Sequence, residues 1–311
     1  MRPPKHSCSK FILFCSCCLF LLLPTGNALT IEQNPEPVGI FISQEILPYM
    51  QMVQGLEKNL DQTTIRVFLD SYGNPYSQET RFQELRPKDF SAMVAVGPRA
   101  LAYLKEHHWP GKIIYAMVLN PERFSWKTAD LCGISLNLNP WKQLITVARV
   151  FPRLRRLGIL FNPEKNQRWF TKAKTLMNLK NLTLIPLKIK ERADIPKLFI
   201  PPGPQVDGIL FIPDQTVISQ SIITYVIKEA MRLKIATFGF NHFFYDAGAA
   251  LSFIINYQEI GSKIATLVKK VTQKGNCVSS GPPFTVLLNR KAIDTLGITM
   301  AQPLPLGVSI E

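Results

Sequence analysis

The sequence predicts an α/β fold of two lobes, each built on a mainly parallel sheet, and three observations support this. Short apolar runs alternate along the chain with longer amphipathic stretches, which is typical of βαβ units. The apolar runs do not alternate polar with apolar residues, so they predict strands that are buried on both faces. The length of 311 residues exceeds that of a usual single domain and leaves room for two lobes.

The predicted strands are short runs rich in Ile, Val, Leu and Phe. They cover residues 38–43, 64–70, 92–96, 113–119, 157–161, 182–187, 208–212 and 235–240, with a further short strand at 286–288. The amphipathic stretches predict helices at residues 47–60, 99–107, 140–150, 166–179, 217–233, 258–274 and 290–296.

Turn residues interrupt this pattern at three places, where we expect the chain to cross between the lobes. The interruptions lie at residues 134–140, 248–255 and 275–283. The resulting division places residues 37–135 and 253–275 in the first lobe and residues 139–250 in the second lobe. Residues 284–299 are assigned to the second lobe as well, but the sequence leaves this assignment open.

The first 28 residues have the layout of a secretory signal peptide. Three positive residues precede an uncharged apolar run at residues 11–23, and small residues follow at 26–28. The apolar run is shorter than the about 20 residues that span a bilayer. The sequence therefore predicts cleavage after Ala28 and export to the periplasm.

Of the six cysteines, only Cys132 and Cys277 would remain after this cleavage. An oxidising compartment permits a disulfide between them, and two separate buried thiols are the alternative. A different cut, at Cys17, would attach a lipid to the chain. The residues before Cys17 fit a lipoprotein cut site poorly, and that cut would leave apolar residues behind it.

The chain is basic, with a formal net charge of +14, and basic residues cluster at positions 149–156 and 188–192. Such clusters are typical of surfaces that bind nucleic acid or anionic lipid. These clusters lack interleaved aromatic residues and any nucleic-acid motif. We therefore expect no nucleic-acid partner, and a solvated basic surface is the simplest interpretation.

Motifs of catalysis and of cofactor binding are missing from the sequence. It has no Gly-x-Gly-x-x-Gly, no P-loop, no His-Glu-x-x-His and no Gly-x-Ser-x-Gly. His107 and His108 are adjacent, so they do not share one face of a helix as a pair of metal ligands would. We expect a monomer that is not an enzyme and needs no metal or cofactor.

Polar or glycine-containing turns follow successive predicted strands. They contain Ser43 with Gln44, Gly97 with Pro98, Asn120, Asn162 and Asp214. Ligands of open α/β sheets bind just beyond the carboxyl ends of the strands, so these turns predict a ligand site. Each turn alone is equally compatible with an ordinary structural role, and it is their recurrence that supports the site.

Taken in order, these turns resemble those of the ABC-transporter substrate-binding proteins with the type I periplasmic binding fold, in the family that includes binders of aromatic amino acids. The resemblance extends over residues 38–298. The segments that carry it are 39–44 (GIFISQ), 95–98 (AVGP), 115–121 (YAMVLNP), 158–166 (GILFNPEKN), 212–217 (IPDQTV) and 248–250 (GAA), followed by single positions between 257 and 297.

The resemblance implies two Rossmann-like lobes joined by a hinge, with a solute held in the interlobe cleft. It also implies delivery of an amino acid or similar small organic solute to an ABC permease in the inner membrane. A periplasmic sensing module that signals to a receptor would have the same fold and pocket and is the alternative function. An exported enzyme is a more distant one.

The residues that would contact the solute are Ser43, Gln44, Gly97, Pro98, Asn120, Asn162, Asn166, Asp214 and Phe240. Two of them depart from the family pattern, because Pro98 replaces a Thr and Asn120 replaces an Asp. Asp214 would pair with a cationic group of the ligand, or would cap the helix predicted at 217–233. Phe240, with Tyr72 and Trp141, would offer aromatic faces to a flat ligand.

Overall fold

The computed structural model describes residues 36–79, 86–124, 131–177, 182–273 and 276–311. The predicted signal peptide and the alternative cut at Cys17 therefore lie outside the described residues. Within the described ranges, no helix is long and apolar enough to cross a membrane.

The first lobe contains a six-stranded sheet. Its strands are β1 (Val38–Ile42), β2 (Thr64–Leu69), β3 (Pro75–Tyr76), β4 (Ala92–Val96), β5 (Ile113–Val118) and β6 (Leu131–Ser135). They are arranged in the order β3-β2-β1-β4-β5-β6, and the pairs are parallel except that of β2 with β3. The strands β1, β4 and β5 are buried along their whole length, as expected for a parallel sheet covered on both faces.

The second lobe contains a seven-stranded sheet. Its strands are β7 (Arg156–Phe161), β8 (Thr183–Lys188), β9 (Gly208–Phe211), β10 (Ala236–Gly239), β11 (Leu251–Ile255), β12 (Phe284–Leu288) and β13 (Val308–Ile310). The order is β13-β12-β11-β10-β9-β7-β8, and only the pair of β11 with β12 is antiparallel. The two α/β lobes with mainly parallel sheets agree with the fold that the sequence predicts.

Eight α-helices lie among the described residues and cover the two sheets. They are α1 (Leu47–Lys58), α2 (Pro98–Glu106), α3 (Pro140–Val150), α4 (Pro163–Met177), α5 (Gln220–Arg232), α6 (His242–Asp246), α7 (Tyr257–Thr272) and α8 (Arg290–Leu296). Three of them begin at a proline, which suits the first turn of a helix because its N–H has no intrahelical partner there.

Each sheet is packed between two hydrophobic cores. In the first lobe, α1 and α7 cover one face and α2 covers the other. In the second lobe, α3, α4 and α8 cover one face, and α5 and α6 cover the other. The helices α1 and α7 approach closely, since a β carbon on Gly55 would lie 2.1 Å from the backbone oxygen of Gln258. Glycine at this position therefore permits the packing of α7 onto the first lobe.

The chain crosses between the sheets three times. The first crossover is residues 136–139, the second is Asn256, and the third leads from α7 to β12. The third runs beside β6, where Ser280 N donates to Gly133 O at 2.9 Å and Ser135 N donates to Ser280 O at 3.0 Å. A disulfide joins Cys132 in β6 to Cys277 in the third crossover. The bridged alternative for the two cysteines is therefore the one that the structure contains.

The crossover boundaries differ from the predicted ones at two places. Residues 131–135 form β6, so the first crossover begins later than residue 134. Residues 253–255, which were predicted in the first lobe, pair with β12 in the second sheet, and only α7 returns to the first lobe. Gly133 in β6 and Ser252 in β11 interrupt the apolar runs, which made both segments read as turns rather than strands.

Two helices begin three residues away from their predicted starts, and one helix was not predicted. Helix α4 begins at Pro163 rather than at 166, and α5 begins at Gln220 rather than at 217. Ser219 caps α5, because its side chain accepts a hydrogen bond from Ile222 N. The prediction that Asp214 caps this helix is therefore wrong. The short helix α6 has too few residues to show a helical period in the sequence.

Candidate ligand site

The polar turns of both lobes lie at the crossover side of their sheets. Strands β6 and β11 each run directly into a crossover, so their carboxyl ends mark this side. Neighbouring parallel strands point in the same direction, which places the ends of β1, β4 and β5 and those of β7, β9 and β10 on the same side of their sheets. This is the location at which open α/β sheets bind ligands.

Ser43 and Gly97 join the ends of β1 and β4 to the start of α2. The hydroxyl of Ser43 is 2% exposed and accepts a hydrogen bond from Ala100 N at 2.8 Å. Gly97 has a φ of +85°, and a β carbon there would lie 2.7 Å from both Ser43 Oγ and the hydroxyl oxygen of Tyr49. Glycine is therefore required by backbone conformation and by space. Burial raises the pKa of Tyr49, so its hydroxyl stays protonated.

Gln44 and Pro98 flank this arrangement and are exposed. Pro98 is the first residue of α2, where its missing N–H leaves no helical bond unmade. Gln44 follows the buried Ser43, and its backbone oxygen accepts from Ile46 N at 3.0 Å, whereas its side-chain amide has no hydrogen-bond partner among the described residues. The turn after β1 therefore presents the free amide of Gln44 beside the start of α2.

Asn120 lies beyond β5 and is hydrogen-bonded to the first crossover. Its φ is +50°, a conformation that Asn adopts more readily than most residues. Asn120 N donates to Asn137 Oδ1 at 3.1 Å, and Asn137 Nδ2 donates to Asn120 Oδ1 at 2.8 Å. This reciprocal pair connects a predicted site residue to the hinge, a contact that the sequence alone did not suggest.

Asp214 is the centre of a buried network in the second lobe. Its side chain is 1% exposed. One carboxylate oxygen accepts from Asn162 N at 2.8 Å and from Asn166 Nδ2 at 2.7 Å, and the other accepts from Thr216 N at 2.8 Å. The carboxylate therefore joins the turn after β9 to the turn after β7 and to the first turn of α4.

Asn162 extends this network in three directions. Its Nδ2 donates to Lys190 O at 2.9 Å and to Thr216 Oγ1 at 3.3 Å, and its Oδ1 accepts from Glu164 N at 2.9 Å. Lys165 Nζ lies 3.4 Å from Thr216 Oγ1. Asn162 is buried whereas Asn166 is only half-buried, so Asn166 is the amide of this network that is nearer to solvent.

The aromatic residues predicted to face a ligand lie in three different places. Phe240, at the end of β10, is half-buried and its ring lies 4.7 Å from that of Phe244. Tyr72 is 90% exposed in the turn before β3. Trp141 lies on α3 in a groove that β12 and β13 complete. Phe240 follows the end of β10 in the second lobe and Tyr72 follows the end of β2 in the first lobe, so the structure does not join the three into one wall.

Three residues of this region were missed as site candidates in the sequence. In the sequence, Asn137 belongs to a predicted break between the lobes and Tyr49 belongs to a predicted helix. Thr216 lies in the same turn as Asp214, which the sequence predicts as the site residue of that turn. The Asn-rich stretch at 137–139 was the one signal that could have pointed to Asn137. Among the residues with described positions, no group of three or more His, Cys, Asp or Glu is placed to hold a metal ion.

The family of the chain follows from a match to a family model. The model described as ABC transporter substrate binding protein matches residues 53–305, which is most of the chain and includes all strands of both sheets except β1 and β13. The chain belongs to this family. No protein of curated function matches it significantly.

Solved structures of other substrate-binding proteins share the fold of this family member. A ligand-free, open substrate-binding protein with adhesive properties from Clostridium difficile superposes with a TM-score of 0.66 at 16% identity, covering 89% of this chain and 99% of that one. A domain from Streptococcus pneumonia in complex with L-Trp gives a TM-score of 0.59 at 16% identity, with 88% and 98% covered. A periplasmic ribose ABC transporter protein from Conexibacter woesei gives 0.54 at 12%, with 83% and 93% covered.

These identities are low, so the likeness concerns the fold, which is the type I periplasmic binding fold. The resemblance on which the sequence prediction relied is confirmed by the family match. For an ABC transporter substrate-binding protein, the family implies that a small molecule is bound and that an ABC transporter is the partner. The solutes named for the neighbours belong to those proteins.

Proposed function

We propose that the protein is the exported solute-binding component of an ABC importer, and that it holds an amino acid or a similar small organic solute between its two lobes. The observation that carries the proposal is the series of polar turns at the carboxyl ends of β1, β4 and β5 in one lobe and β7, β9 and β10 in the other. Both series lie beside the crossovers, where one small molecule can touch both lobes.

The exposed and half-buried amides are the proposed ligand contacts. Gln44 and the pair of Asn120 with Asn137 would act from the first lobe, and Asn166 would act from the second. Asp214 accepts three hydrogen bonds and is almost fully buried. We therefore assign it the role of holding Asn166 in position, in place of a direct pairing with a ligand cation.

Closure of the lobes would follow from ligand binding by a shift in population. A solute that touches both lobes only in the closed form favours that form by its difference in affinity between the two. The third crossover is bonded to β6 as far as Ser280. We therefore expect this crossover to bend only at residues 281–283. Residues 136–139 and Asn256 would be the other two hinge segments.

A ligand screen tests the proposal. The chain from Leu29 onward is screened by thermal shift against the common amino acids and related small solutes, and hits are measured by calorimetry and small-angle scattering. We expect one-to-one binding and a smaller radius of gyration with the ligand. A broad screen without a hit, or binding without compaction, would count against capture between closing lobes.

Matched variants locate the contacts. Asn166→Ala is expected to weaken binding of the identified solute about tenfold, since a hydrogen bond to a ligand contributes about 1 kcal/mol or more. Gln167→Ala, on the exposed side of α4, is the control and should bind as the parent does. Equal affinities of the two variants would remove Asn166 from the site.

Export and partner are tested in cells. We expect the exported protein to begin at Leu29 by N-terminal sequencing, and lipid attached at Cys17 would contradict this. Deletion of the gene should abolish uptake of the identified solute. Unchanged uptake together with a lost response to the solute would favour the sensing function instead.

A further inference from the structure

A groove on the second lobe contains none of the proposed ligand contacts and has no assigned role, although Phe284 in its lining pairs with Ile255 at the end of β11. It runs between α3 and the pair β12–β13 and has a volume of about 420 Å³. We call it the α3 groove. Its apolar lining includes Trp141, Ile145, Phe284, Pro305 and Leu306.

Leu306 is held out into solvent at the edge of this groove. It is fully exposed, with a relative accessibility of 104%, which exceeds that of the other exposed large apolar side chains of the described chain. It occupies the tip of a turn that is closed by a hydrogen bond from Val308 N to Pro305 O at 3.3 Å. Gly307, with a φ of +77°, and Pro305 restrict the backbone of this turn. The exposed leucine is therefore presented by an ordered segment.

The charges around the α3 groove are all of one sign. Lys142 and Arg149 line it, and its lining contains no Asp or Glu. Neither cation has an ion pair with any residue whose position is described. Arg153 lines the adjacent cavity together with Asp207, whose carboxylate is paired with Arg156. Arg153 too has no ion pair within the described ranges.

The segment between the two cavities is bonded to the end of α3, whose last turn contains Arg149 and which ends three residues before Arg153. Ala301 N donates to Val150 O at 2.8 Å at the end of that helix. The α3 groove, the exposed leucine and three unpaired cations are thus neighbours on the second lobe. An apolar projection surrounded by unpaired cations is complementary to a surface with an apolar interior and anionic head groups.

We propose that this surface docks on an anionic lipid bilayer, with Leu306 inserted at the level of the head groups and with Lys142, Arg149 and Arg153 facing lipid phosphates. Each cation near an anionic membrane surface favours binding by about a factor of five. A hydrated anion without an apolar part would not use Leu306, and an apolar partner would not use the cations.

Docking in this way would leave the candidate ligand site free. The α3 groove is lined only by residues of the second lobe, and its lining includes none of the strand-end turns. The second lobe would then rest on the membrane while the first lobe stays free to move. The proposal does not depend on the solute, since it concerns a separate surface.

Vesicle flotation tests the proposal. The chain from Leu29 onward is used, because the predicted signal peptide is itself apolar and because residues 35–311 form a compact unit of their own. The probes are vesicles of phosphatidylglycerol and phosphatidylcholine in equal parts, and vesicles of phosphatidylcholine alone. We expect binding to the anionic vesicles that weakens as salt is added, and at least tenfold weaker binding to the zwitterionic ones.

Two patch variants, with substitutions at the α3 groove, and one control variant distinguish binding through this groove from an effect of the overall charge. Lys142→Glu with Arg149→Glu is expected to weaken binding to the anionic vesicles at least 20-fold, and Leu306→Ser about fivefold. Lys228→Glu with Lys270→Glu, on α5 and α7, makes the same change in net charge elsewhere and should stay within about threefold of the parent. Circular dichroism and thermal melting check that all variants fold.

Three results would overturn the proposal. The first is equal binding to both kinds of vesicle, and the second is an equal loss in the patch and control variants, which would show that only net charge matters. The third is saturable binding of monomeric decanoate that the patch variant abolishes while vesicle binding persists. That result would assign the groove to a free amphiphile instead of a bilayer.

Discussion

The carboxyl ends of the two sheets carry similar polar residues but hold them by different means. In the first lobe the groups are neutral, and they bond to backbone at α2 or, through Asn137, to the hinge. In the second lobe a buried carboxylate, Asp214, organises the turns within that lobe alone.

This difference shows which lobe anchors the hinge. The first crossover is bonded to the first lobe by the pair of Asn120 with Asn137 and by Leu136 N, which donates to Val118 O at 2.9 Å. The third crossover is attached to the same lobe by the disulfide and by Ser280. Two of the three crossovers are therefore bonded to the first lobe, whereas the network around Asp214 stays within the second lobe.

Of the changes considered, removal of the disulfide is expected to lower the free energy of unfolding most. Cys132→Ser with Cys277→Ser should lower the free energy of unfolding by about 4 kcal/mol, because the bridge closes a loop of 145 residues in the unfolded chain. Urea unfolding measures the loss. The reduced parent protein is the control and should show a similar loss, whereas an unchanged midpoint on reduction would contradict the anchoring role.

Truncation of Asp214 tests the second lobe. Asp214→Ala should lower the free energy of unfolding by about 3 kcal/mol, because Asn162 N and Thr216 N lose a buried acceptor. Asp214→Asn keeps one acceptor oxygen and should cost less. A loss below about 1 kcal/mol for the alanine variant would mean that water replaces the carboxylate and that the network does not hold the turns.

Two glycines with similar positive φ angles allow the cost of backbone strain to be distinguished from that of side-chain contact in the first lobe. Gly97→Ala should cost about 2 kcal/mol or more, since the new β carbon would meet Ser43 and Tyr49. Gly73→Ala is the control, because its φ is +93° but its surroundings are open. Gly73→Ala should lower the free energy of unfolding by only about 1 kcal/mol, which is the cost of a positive φ for a residue with a β carbon. Equal thermal shifts in the two variants would show that the packing at Gly97 relaxes.

The smallest expected effect concerns the amide pair at the hinge. Asn137→Ala should lower the free energy of unfolding by about 1 kcal/mol, because the pair is exposed. A double-mutant cycle with Asn120→Gly, a change that keeps the backbone conformation, should give a coupling of about 0.5 kcal/mol or more. A coupling near zero would separate Asn120 from the hinge and weaken the contrast between the lobes.

Much of the fold was predictable because apolar runs report burial directly. Helices α3 and α8 begin and end where the amphipathic pattern does, and most strands of both sheets lie within two residues of their predicted ends. Strands β6 and β11 were missed because Gly133 and Ser252 break their apolar runs. Strands β3 and β13, with two and three residues, are too short to carry a pattern.

The candidate site was predictable in position but not in its bonding. The turns with Ser43, Asn162 and Asp214 lie at strand ends as expected, since parallel strands place their ends together. The roles within the turns depend on partners far along the chain. Asp214 was expected to meet a ligand or to cap α5; the structure gives the cap to Ser219, and the bonds of Asp214 to Asn162, Asn166 and Thr216 were not predicted.

The sequence by itself determined the α/β class, the two lobes and the family, because these rest on local periodicity and on short motifs in a fixed order. Only the tertiary structure decided that Cys132 and Cys277 are joined, that the hinge belongs to the first lobe, and that Lys142, Arg149 and Leu306 share one surface. The disulfide and the shared surface depend on contacts between residues more than 100 positions apart, and the hinge contacts combine one such pair, Gly133 with Ser280, with the nearer pair of Asn120 and Asn137. Such contacts are set by the packing of whole elements, which no local pattern encodes.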